Sequence, residues 1–364
     1  MEGSDVAIVG GGIAGLAAAL ALARGGLRPL LLEREPILAS HSSGRNAAIW
    51  LGVHAEASTP LLAPRSAEVL DGLLGPDAWI RRSGALLVGE DARLVAEARR
   101  HTERCGAGAK ELDARDAVRL CPALAGGTTR AALWLPDAGV LDIHAMTQAL
   151  ARAARAAGAR IRTGCGAARV AARAGRVEGV DLDDGSRVGA DAVLVAAGAW
   201  AGALGAACGA PLPLTPLRRH LAHLEAPAAE LAAGPVLWSL DGEVYWRPES
   251  GGLLASPCDE EPWEPGLPAS DEAALEDLAR KLRRLAPPLA ACRVRRSWAC
   301  LRTFAPDREL VAGADPRLEG LFWLAGLGGR GMTVGVAAGE LAAASLLGRA
   351  HPLAETTAPA RLLP

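Results

Sequence analysis

Hydrophobic and polar residues follow one another in blocks at the start of the chain, and each block predicts an element. Residues 6–9 form a continuous apolar run, which is typical of a strand buried in a parallel sheet. An alanine- and leucine-rich stretch from Ile13 to Arg24 predicts a helix, and residues 30–32 predict a second strand that ends at Glu33. Glycines separate the first strand from the helix. The order strand, turn, helix, strand is that of a doubly wound α/β unit.

Similar patterns return later in the chain, separated by stretches of another character. They predict helices at 146–157 and 334–347, strands at 160–162, 192–197 and 321–325, and a hairpin turn at 183–186. The separating stretches predict charged helices at about 91–105 and 113–120, then mainly strands over 212–304 with one helix near 271–285.

These patterns predict a discontinuous nucleotide-binding domain and a second domain built from the intervening segments. The first comprises residues 1–83, 137–211 and 305–350, and the second comprises residues 84–136 and 212–304. The fold class is α/β: a Rossmann domain joined to an α+β domain with a mainly antiparallel sheet. Residues 351–364, rich in proline and alanine, are expected to be loosely held.

Composition narrows the range of partners. The formal net charge is −2 at pH 7, which does not favour binding to nucleic acid or to an acidic membrane surface. No apolar stretch reaches the roughly 18 residues of a membrane span, and the early first strand leaves no room for a secretory signal, so a cytoplasmic protein is expected. The seven cysteines lack C-x-x-C spacing, which favours reduced thiols over disulfides or a metal site.

The glycines of the opening turn have the spacing of a dinucleotide-binding loop. Gly10 allows a tight turn, Gly12 allows the backbone to approach a pyrophosphate, and Gly15 allows the helix to pack against its strand. The helix N-terminus directs N–H groups at phosphates. Glu33 can accept hydrogen bonds from ribose hydroxyls. A glycine-rich turn without a ligand is the alternative.

Further motifs extend this pattern along nearly the whole chain. They are residues 41–48 (HSSGRNAA), 196–200 (AAGAW) and 328–332 (GGRGM), with supporting segments at 239–248, 298–304 and 310–313. In this order they resemble the FAD-dependent D-amino-acid oxidase superfamily, and most of all its bacterial D-arginine dehydrogenases. The resemblance implies a glutathione-reductase-type Rossmann domain, FAD as cofactor and oxidation of an amino acid or amine.

The resemblance also implies how FAD is held. Residues 41–48 would pass along the isoalloxazine ring, and residues 328–333 would place N–H donors at its pyrimidine edge, where negative charge develops on reduction. The residues assigned to the cofactor are Gly10, Gly12, Ile13, Ala14, Gly15, Glu33, Arg34, His41, Ser42, Ser43, Arg45, Asn46, Ala47, Ala48, Ala167, Ala197, Gly198, Trp200, Cys300, Gly328, Gly329, Arg330, Gly331, Met332 and Thr333. Binding is expected to be non-covalent. A covalent link at Cys300, as in some sarcosine oxidases, is the alternative.

The catalytic residues implied by the resemblance are Arg302, Tyr245 and His54. In relatives an arginine and a tyrosine at the matching positions bind the substrate carboxylate, to which a guanidinium offers a bidentate fork. The alternative places Tyr245 in the core and Arg302 in a surface ion pair. His54 would take the amine proton, since an ordinary histidine pKa near 6.5 suits that task, although a lone histidine is often structural.

Departures from the D-arginine enzymes predict the accepted side chain. Leu86 stands where those enzymes have a glutamate, so a cationic side chain would be buried unpaired and D-arginine is expected to be a poor substrate. Arg330 is predicted either to act as a cation on substrate or flavin, or to be exposed at the pocket mouth. The residues assigned to the substrate are Ile49, Trp50, Leu86, Arg219 (with Arg218 as the alternative), Trp246, Gly329, Arg330 and Thr333.

The predicted reaction is oxidation of a D-amino acid with a neutral, apolar or aromatic side chain. Hydride transfer to flavin N5 would give an imino acid, which water hydrolyses to the 2-oxo acid. One alternative is an oxidase of N-methyl, cyclic or small amino acids, of the sarcosine or glycine oxidase type. Another is a non-catalytic flavoprotein subunit of a complex. Oxygen, a quinone and another carrier all remain open as the electron acceptor.

Overall fold

The computed structural model describes residues 4–226, 228–241 and 244–363. Its strands are β1 (Ser4–Val9), β2 (Pro29–Leu32), β3 (Ile49–Trp50), β4 (Ile80–Arg81), β5 (Ala85–Gly89), β6 (Lys110–Asp113), β7 (Ala131–Leu135), β8 (Gly139–Leu141), β9 (Arg160–Arg162), β10 (Ala167–Arg173), β11 (Arg176–Leu182), β12 (Arg187–Val195), β13 (Thr215–Glu225), β14 (Val236–Ser239), β15 (Tyr245–Glu249), β16 (Gly252–Ser256), β17 (Glu261–Pro262), β18 (Arg293–Phe304), β19 (Val311–Ala314) and β20 (Leu321–Ala325). Its helices are α1 (Ile13–Arg24), α2 (Thr59–Leu74), α3 (Ala92–Arg104), α4 (Ala114–Leu120), α5 (Ile143–Ala156), α6 (Ala201–Ala207), α7 (Glu272–Leu285), α8 (Gly331–Leu346) and α9 (Ala354–Thr357).

The first sheet has a parallel core in the order β9, β2, β1, β12 and β20. Strand β19 adds an antiparallel edge, while β10 and β11 continue from β12 as an antiparallel meander. Because β1, β12 and β20 run parallel, their carboxyl ends lie at one edge of the sheet. Ligands of open α/β sheets bind at this edge.

Helices α1, α5 and α8 form the core on one face of this sheet. A Cβ at Gly339 of α8 would lie 2.6 Å from the Cβ of Ala17 in α1, so small residues allow the two helices to approach closely. Helix α1 and strand β20 have the predicted bounds. Helix α8 begins at Gly331 rather than Val334, because the glycine-rich loop turns directly into it.

The second sheet has the order β17, β13, β16, β15, β14, β5, β7 and β6, with β18 on the other side of β13. Its pairs are antiparallel except for β14 with β5, so the sheet is mainly antiparallel as predicted. Its strands come from the segments predicted to form a second domain. The domain boundaries themselves stay a prediction. A small sheet of β3, β8 and β4 stands beside the two large ones.

Register gives the second sheet two faces of different chemistry. Leu87, Trp238, Tyr245 and Ser256 are paired across β5, β14, β15 and β16 and therefore share one face, which we call the front face. The neighbouring row lies on the opposite, back face, which packs on α7. Its members are Leu86, Leu237, Trp246 and Ala255.

The expectation of a loosely held C-terminal segment is wrong for the described residues. Thr357 is buried, and its hydroxyl donates to the carbonyl of Ala312 on β19 at 3.2 Å. Arg361 pairs with Asp307 at 2.7 Å. The first contact holds α9 against β19, and the second joins the segment after α9 to the segment between β18 and β19. Among the described residues, no helix combines the length and apolar character needed to cross a membrane.

Candidate functional site

A cavity of about 430 Å³ opens at the carboxyl edge of the first sheet. The backbone that follows β1, β12 and β20 forms its floor. Most predicted cofactor residues line it, namely Gly10, Gly12, Ile13, Ala14, Glu33, Arg34, His41, Ser42, Ser43, Asn46, Ala167, Ala197, Gly198, Trp200, Gly328, Gly329, Gly331 and Met332. The predicted cofactor residues outside its lining are Gly15, Arg45, Ala47, Ala48, Cys300, Arg330 and Thr333.

The opening turn requires glycine for two separate reasons. Gly10 has a φ of +113°, and a Cβ there would lie 2.4 Å from the carbonyl oxygen of Ala196. A Cβ at Gly15 would lie 2.0 Å from the carbonyl oxygen of Gly10, so Gly15 serves helix packing rather than ligand contact. The Glu33 carboxylate accepts the Gly11 N–H at 2.7 Å and keeps acceptor capacity toward the cavity it lines.

Aromatic and charged side chains form the wall beyond β2. The guanidinium of Arg34 lies 5.1 Å from the Trp200 ring centroid, and the His41 ring lies 4.6 Å from it on a tilted plane. His41 also pairs with Glu35 at 2.9 Å. Trp200 is therefore a fixed apolar surface of the cavity.

Residues 41–48 are shaped by their own polar side chains. Ser43 accepts the N–H of Ile13 at the start of α1, at 3.1 Å. Asn46 accepts the N–H of Ala48 at 2.6 Å, which supports the positive φ of 54° at Ala48. Arg45 donates to the carbonyl of Ala299, and its buried Nε has no hydrogen-bond partner among the described residues.

Arg330 is not exposed at the mouth of the cavity, so that prediction for its side chain is wrong, while its action as a cation on substrate or flavin stays a prediction. The side chain is buried and pairs with Glu309 at 2.7 Å. It also donates to the hydroxyls of Ser58 and Thr59 at 2.8 and 3.3 Å. Since Glu309 compensates its charge, Arg330 connects the glycine-rich loop to the start of α2.

Arg302 lines the cavity from β18 and is the contrasting case. It is 7% exposed, and its Nη1 donates to the Cys300 sulfur at 2.8 Å and to the Leu301 carbonyl at 3.3 Å. Burial acts to lower the pKa of the guanidinium, but Cys300 and Tyr245 act in the opposite direction, and the net shift is upward. No carboxylate of the described residues forms an ion pair with it. The other buried arginines, by contrast, pair with Glu261 and Asp271 (Arg218), Glu249 (Arg247) and Glu309 (Arg330).

Tyr245 lies on the front face, and the positive charge of Arg302 influences its phenol. Its ring stacks on Trp238 with centroids 4.6 Å apart, and it is paired with Ser256 in the register of β15 and β16. Burial raises the pKa of the phenol, with Arg219 and Arg302 opposing the shift. The phenol therefore stays protonated at neutral pH and can donate to an anion.

Three predicted substrate residues, Leu86, Trp246 and Trp50, do not lie on the side of Arg302 and Tyr245. Adjacent residues of a strand point to opposite faces of its sheet. Leu86 and Trp246 are buried on the back face, where they pack with α7. Trp50 packs edge-on against Trp79 in the helical core, with centroids 4.8 Å apart. Ile49, its neighbour on β3, does pack against the cluster that contains Tyr245.

His54 and Thr333 do not fit the roles assigned to them. Burial lowers the pKa of His54 to about 4, with Glu56 opposing the shift and Arg330 adding to it, so the base strength assumed from an ordinary histidine is absent. Thr333 is buried within α8 and does not line the cavity. Cys300 is buried, accepts a hydrogen bond from Arg302 and lies outside the lining of this cavity, and a covalent link to the cofactor stays a prediction.

The two adjacent arginines of β13 separate onto the two faces of the sheet. Arg219 lies opposite Cys300 in the register of β13 and β18, which places it on the side of Arg302 and Tyr245. Arg218 pairs with Glu261 and Asp271 and lies 4.0 Å from the Trp263 ring centroid. Arg219 is thus the member of the pair that faces the site, and its partner is Glu260, at 2.8 Å.

Sequence reasoning missed Trp238, Ser58 and Glu309. Because side chains alternate along a strand, Trp246 has to point away from the face on which its neighbour Tyr245 lies. This alternation would have favoured Trp238, which is paired with Tyr245, as a residue of the site. The contact of Ser58 and Glu309 with Arg330 joins residues up to 272 positions apart, and no local pattern signals it.

Comparison with known proteins identifies the family. The model of the DAO family, described as FAD dependent oxidoreductase, matches residues 5–345, and the chain belongs to this family. It is 28% identical to glycine oxidase of Geobacillus kaustophilus, covering 88% of this chain and 87% of that protein. The crystal structure of glycine oxidase from the same organism aligns with a TM-score of 0.82 and 25% identity, covering 98% of each chain.

Two further relatives show the range of the family. The chain is 28% identical to 4-methylaminobutanoate oxidase (formaldehyde-forming) of Paenarthrobacter nicotinovorans, over 89% of this chain but only 41% of that protein. L-proline dehydrogenase from P. horikoshii shares the fold, with a TM-score of 0.88 at 22% identity over 99% of this chain and 98% of that one. The chain is an FAD-dependent oxidoreductase.

The residues present fit FAD. Any side chain at Gly10 would collide with backbone, so only glycine allows the turn to take this path along the cavity. The N-terminus of α1 points into the cavity at this turn. Gly328 and Gly331 also bring the start of α8 to the cavity wall. One continuous cavity lined by two helix N-termini suits a dinucleotide better than a small ligand.

Proposed function

We propose that the chain oxidises the Cα–N bond of an amino acid with a neutral side chain, in the first instance a D-amino acid. The product is an imino acid, which water hydrolyses to the 2-oxo acid. One observation carries this proposal. Arg302 is a buried guanidinium in the wall of the cofactor cavity, and it has no carboxylate partner among the described residues. A buried uncompensated cation is stabilised when a ligand supplies the anion.

Arg302 and Tyr245 bind the substrate carboxylate in this proposal. The guanidinium supplies parallel N–H donors, and the protonated phenol supplies a third donor. Fixing the carboxylate fixes the direction of the α-hydrogen, which lowers the entropic part of the barrier. FAD, when bound, supplies the hydride acceptor.

The charges around Tyr245 support a neutral substrate side chain. Arg219 and Arg302 both act on the phenol, whereas Ile49 and Trp238 add apolar surface. A cationic side chain would find Glu260 already paired with Arg219 and Arg308, so that carboxylate could not compensate its charge in a buried site. D-arginine is therefore expected to be a poor substrate, for a reason different from the loss of an acid at Leu86.

Oxidation of N-methyl, cyclic or small amino acids is the second candidate. The similarity to glycine oxidase and 4-methylaminobutanoate oxidase supports it, and such substrates also carry a carboxylate. A non-catalytic subunit is less well supported, because it would have no use for an uncompensated arginine at the cavity wall.

Anaerobic mixing with a substrate panel tests the proposal through bleaching of the flavin absorbance. The panel pairs D- and L-alanine, D- and L-phenylalanine, glycine with sarcosine, and D-arginine with D-norleucine. We expect the neutral D-amino acids to reduce the flavin fastest. Faster reduction by sarcosine or proline would favour the second candidate. A preference for D-arginine over D-norleucine would contradict the neutral-pocket proposal.

A further inference from the structure

Arg308, Glu260 and Arg219 form a series of ion pairs that leads inward from solvent. Their side chains are 51%, 28% and 12% exposed, in that order. Glu260 Oε1 lies 2.8 Å from Arg219 Nη2 and 3.1 Å from Arg308 Nη1, and its Oε2 pairs with Arg308 Nη2. One carboxylate is therefore shared by an outer and an inner guanidinium.

This series stands beside the Arg302 end of the cavity. Arg219 lies opposite Cys300 in the register of β13 and β18, and Cys300 accepts the hydrogen bond from Arg302. The Arg308 guanidinium lies 4.5 Å from the ring centroid of Phe304. That ring bounds the loop at Gly328, where an added Cβ would lie 2.5 Å from it.

The charge of Glu260 determines how much of the positive charge of Arg219 remains uncompensated at the site. The hydrogen bond from Arg308 is the largest influence on the Glu260 carboxyl and helps to lower its pKa, so the group is ionised at neutral pH. Its charge compensates Arg219, whose Nε also donates to the backbone carbonyl of Asp259 at 2.8 Å. Arg302 is left as the cation at the site without a carboxylate among the described residues.

We propose that Glu260 is a specificity residue that occupies Arg219 and so restricts the site to substrates with one carboxylate. The proposal rests on the function proposed above, in which Arg302 binds a substrate carboxylate. A second carboxylate on a substrate would have to displace Glu260 from Arg219 or remain unpaired near it. Amino monocarboxylates are accepted on this basis, and amino or imino dicarboxylates are rejected.

The test compares acetate with malonate, a monocarboxylate and a dicarboxylate of similar size. Binding to the flavin-loaded protein is followed through the visible absorbance of the flavin, which requires no turnover. The variants are Glu260→Gln and the double variant Glu260→Gln/Arg219→Gln. The matched control is Glu340→Gln, because Glu340 pairs with Arg65 at 2.7 Å on the outer surface of α2 and α8.

Glu260→Gln is expected to raise malonate affinity about tenfold relative to acetate, since Arg219 could then pair with the second carboxylate. The added Arg219→Gln substitution is expected to abolish this gain, and Glu340→Gln to leave both affinities unchanged. An unchanged acetate-to-malonate ratio in Glu260→Gln would overturn the proposal, as would a gain that persists without Arg219.

Failure of the underlying function has a different signature. Arg302→Met should abolish acetate binding in an otherwise unchanged chain. If acetate still binds to Arg302→Met, the carboxylate site is not at Arg302, whatever the Glu260 variants show.

Discussion

Arg302 and Arg330 are both buried arginines at the same cavity end, yet they have opposite surroundings. Arg330 is 3% exposed and meets Glu309, Ser58 and Thr59, so its charge and its N–H groups are satisfied within the chain. Arg302 is 7% exposed and meets a thiol and a backbone carbonyl. Burial of an arginine therefore does not by itself indicate function. The discriminating feature is whether the chain supplies the counter-charge.

The difference between the two arginines also predicts which substitutions lower the stability of the fold and which weaken ligand binding. A compensated buried pair costs stability when one partner is removed, because the other is left buried and charged. An uncompensated arginine costs the folded chain free energy until an anion arrives, so its removal harms binding without harming the fold. The expected effects below follow from this distinction.

The largest effect is expected for Arg302→Met. Loss of the guanidinium that we propose to bind the substrate carboxylate should lower kcat/KM for amino acids about 10³-fold, equivalent to about 4 kcal/mol. The free energy of unfolding at saturating FAD should be unchanged or higher. Steady-state kinetics and denaturant unfolding check the two parts, and Arg302→Lys should recover only a fraction because an ammonium lacks the fork.

Glu309→Gln should destabilise the fold by about 3 kcal/mol, because Arg330 would be buried without its counter-charge. The double variant Glu309→Gln/Arg330→Met should recover much of this loss. A double-mutant cycle from denaturant unfolding gives the coupling between the two residues. A coupling near zero would mean that the pair does not compensate as described.

His54 should make stability depend on pH in the Arg330 region. Its folded pKa of about 4 is below the ordinary 6.5, so the unfolded chain binds a proton first as the pH falls. Stability is then full above pH 6.5 and decreases toward pH 4, by about 2 kcal/mol given the partial exposure of the ring. Unfolding of His54→Asn at several pH values should show a smaller slope in this window. An equal slope would contradict the lowered pKa.

The smallest effect is expected for Cys300→Ala. The thiol accepts one hydrogen bond from Arg302, and sulfur is a weak acceptor. Its loss should raise KM for the amino acid about threefold, under 1 kcal/mol, with little change in kcat. A loss comparable with that of Arg302→Met would show that Cys300 itself touches the substrate or cofactor.

The first sheet could be predicted from sequence because its signals are local. The apolar runs of β1, β12 and β20 and the glycines that follow them occupy short segments, so each can be recognised without knowledge of the rest of the chain. The same holds for the cavity lining contributed by these segments. That these segments meet in one cavity could be predicted from the rule that ligands bind at the carboxyl ends of parallel strands.

The substrate side could not be predicted to the same extent. Tyr245 and Trp246 differ in face although they are adjacent, and register decides which one meets the site. The roles of Arg330 and Arg219 depend on Glu309 and Glu260, which are 21 and 41 residues away. Pairing of this kind depends on how the segments pack, which composition and spacing do not reveal.

The most direct test is anaerobic flavin reduction by an amino acid and by the amine that lacks only its carboxylate, for example alanine and ethylamine. The account predicts that the amino acid reduces the flavin at least about 100-fold faster, and that Arg302→Met, but not Arg330→Met, abolishes the difference. Equal rates in the unmodified chain, or a preference that survives Arg302→Met, would contradict it.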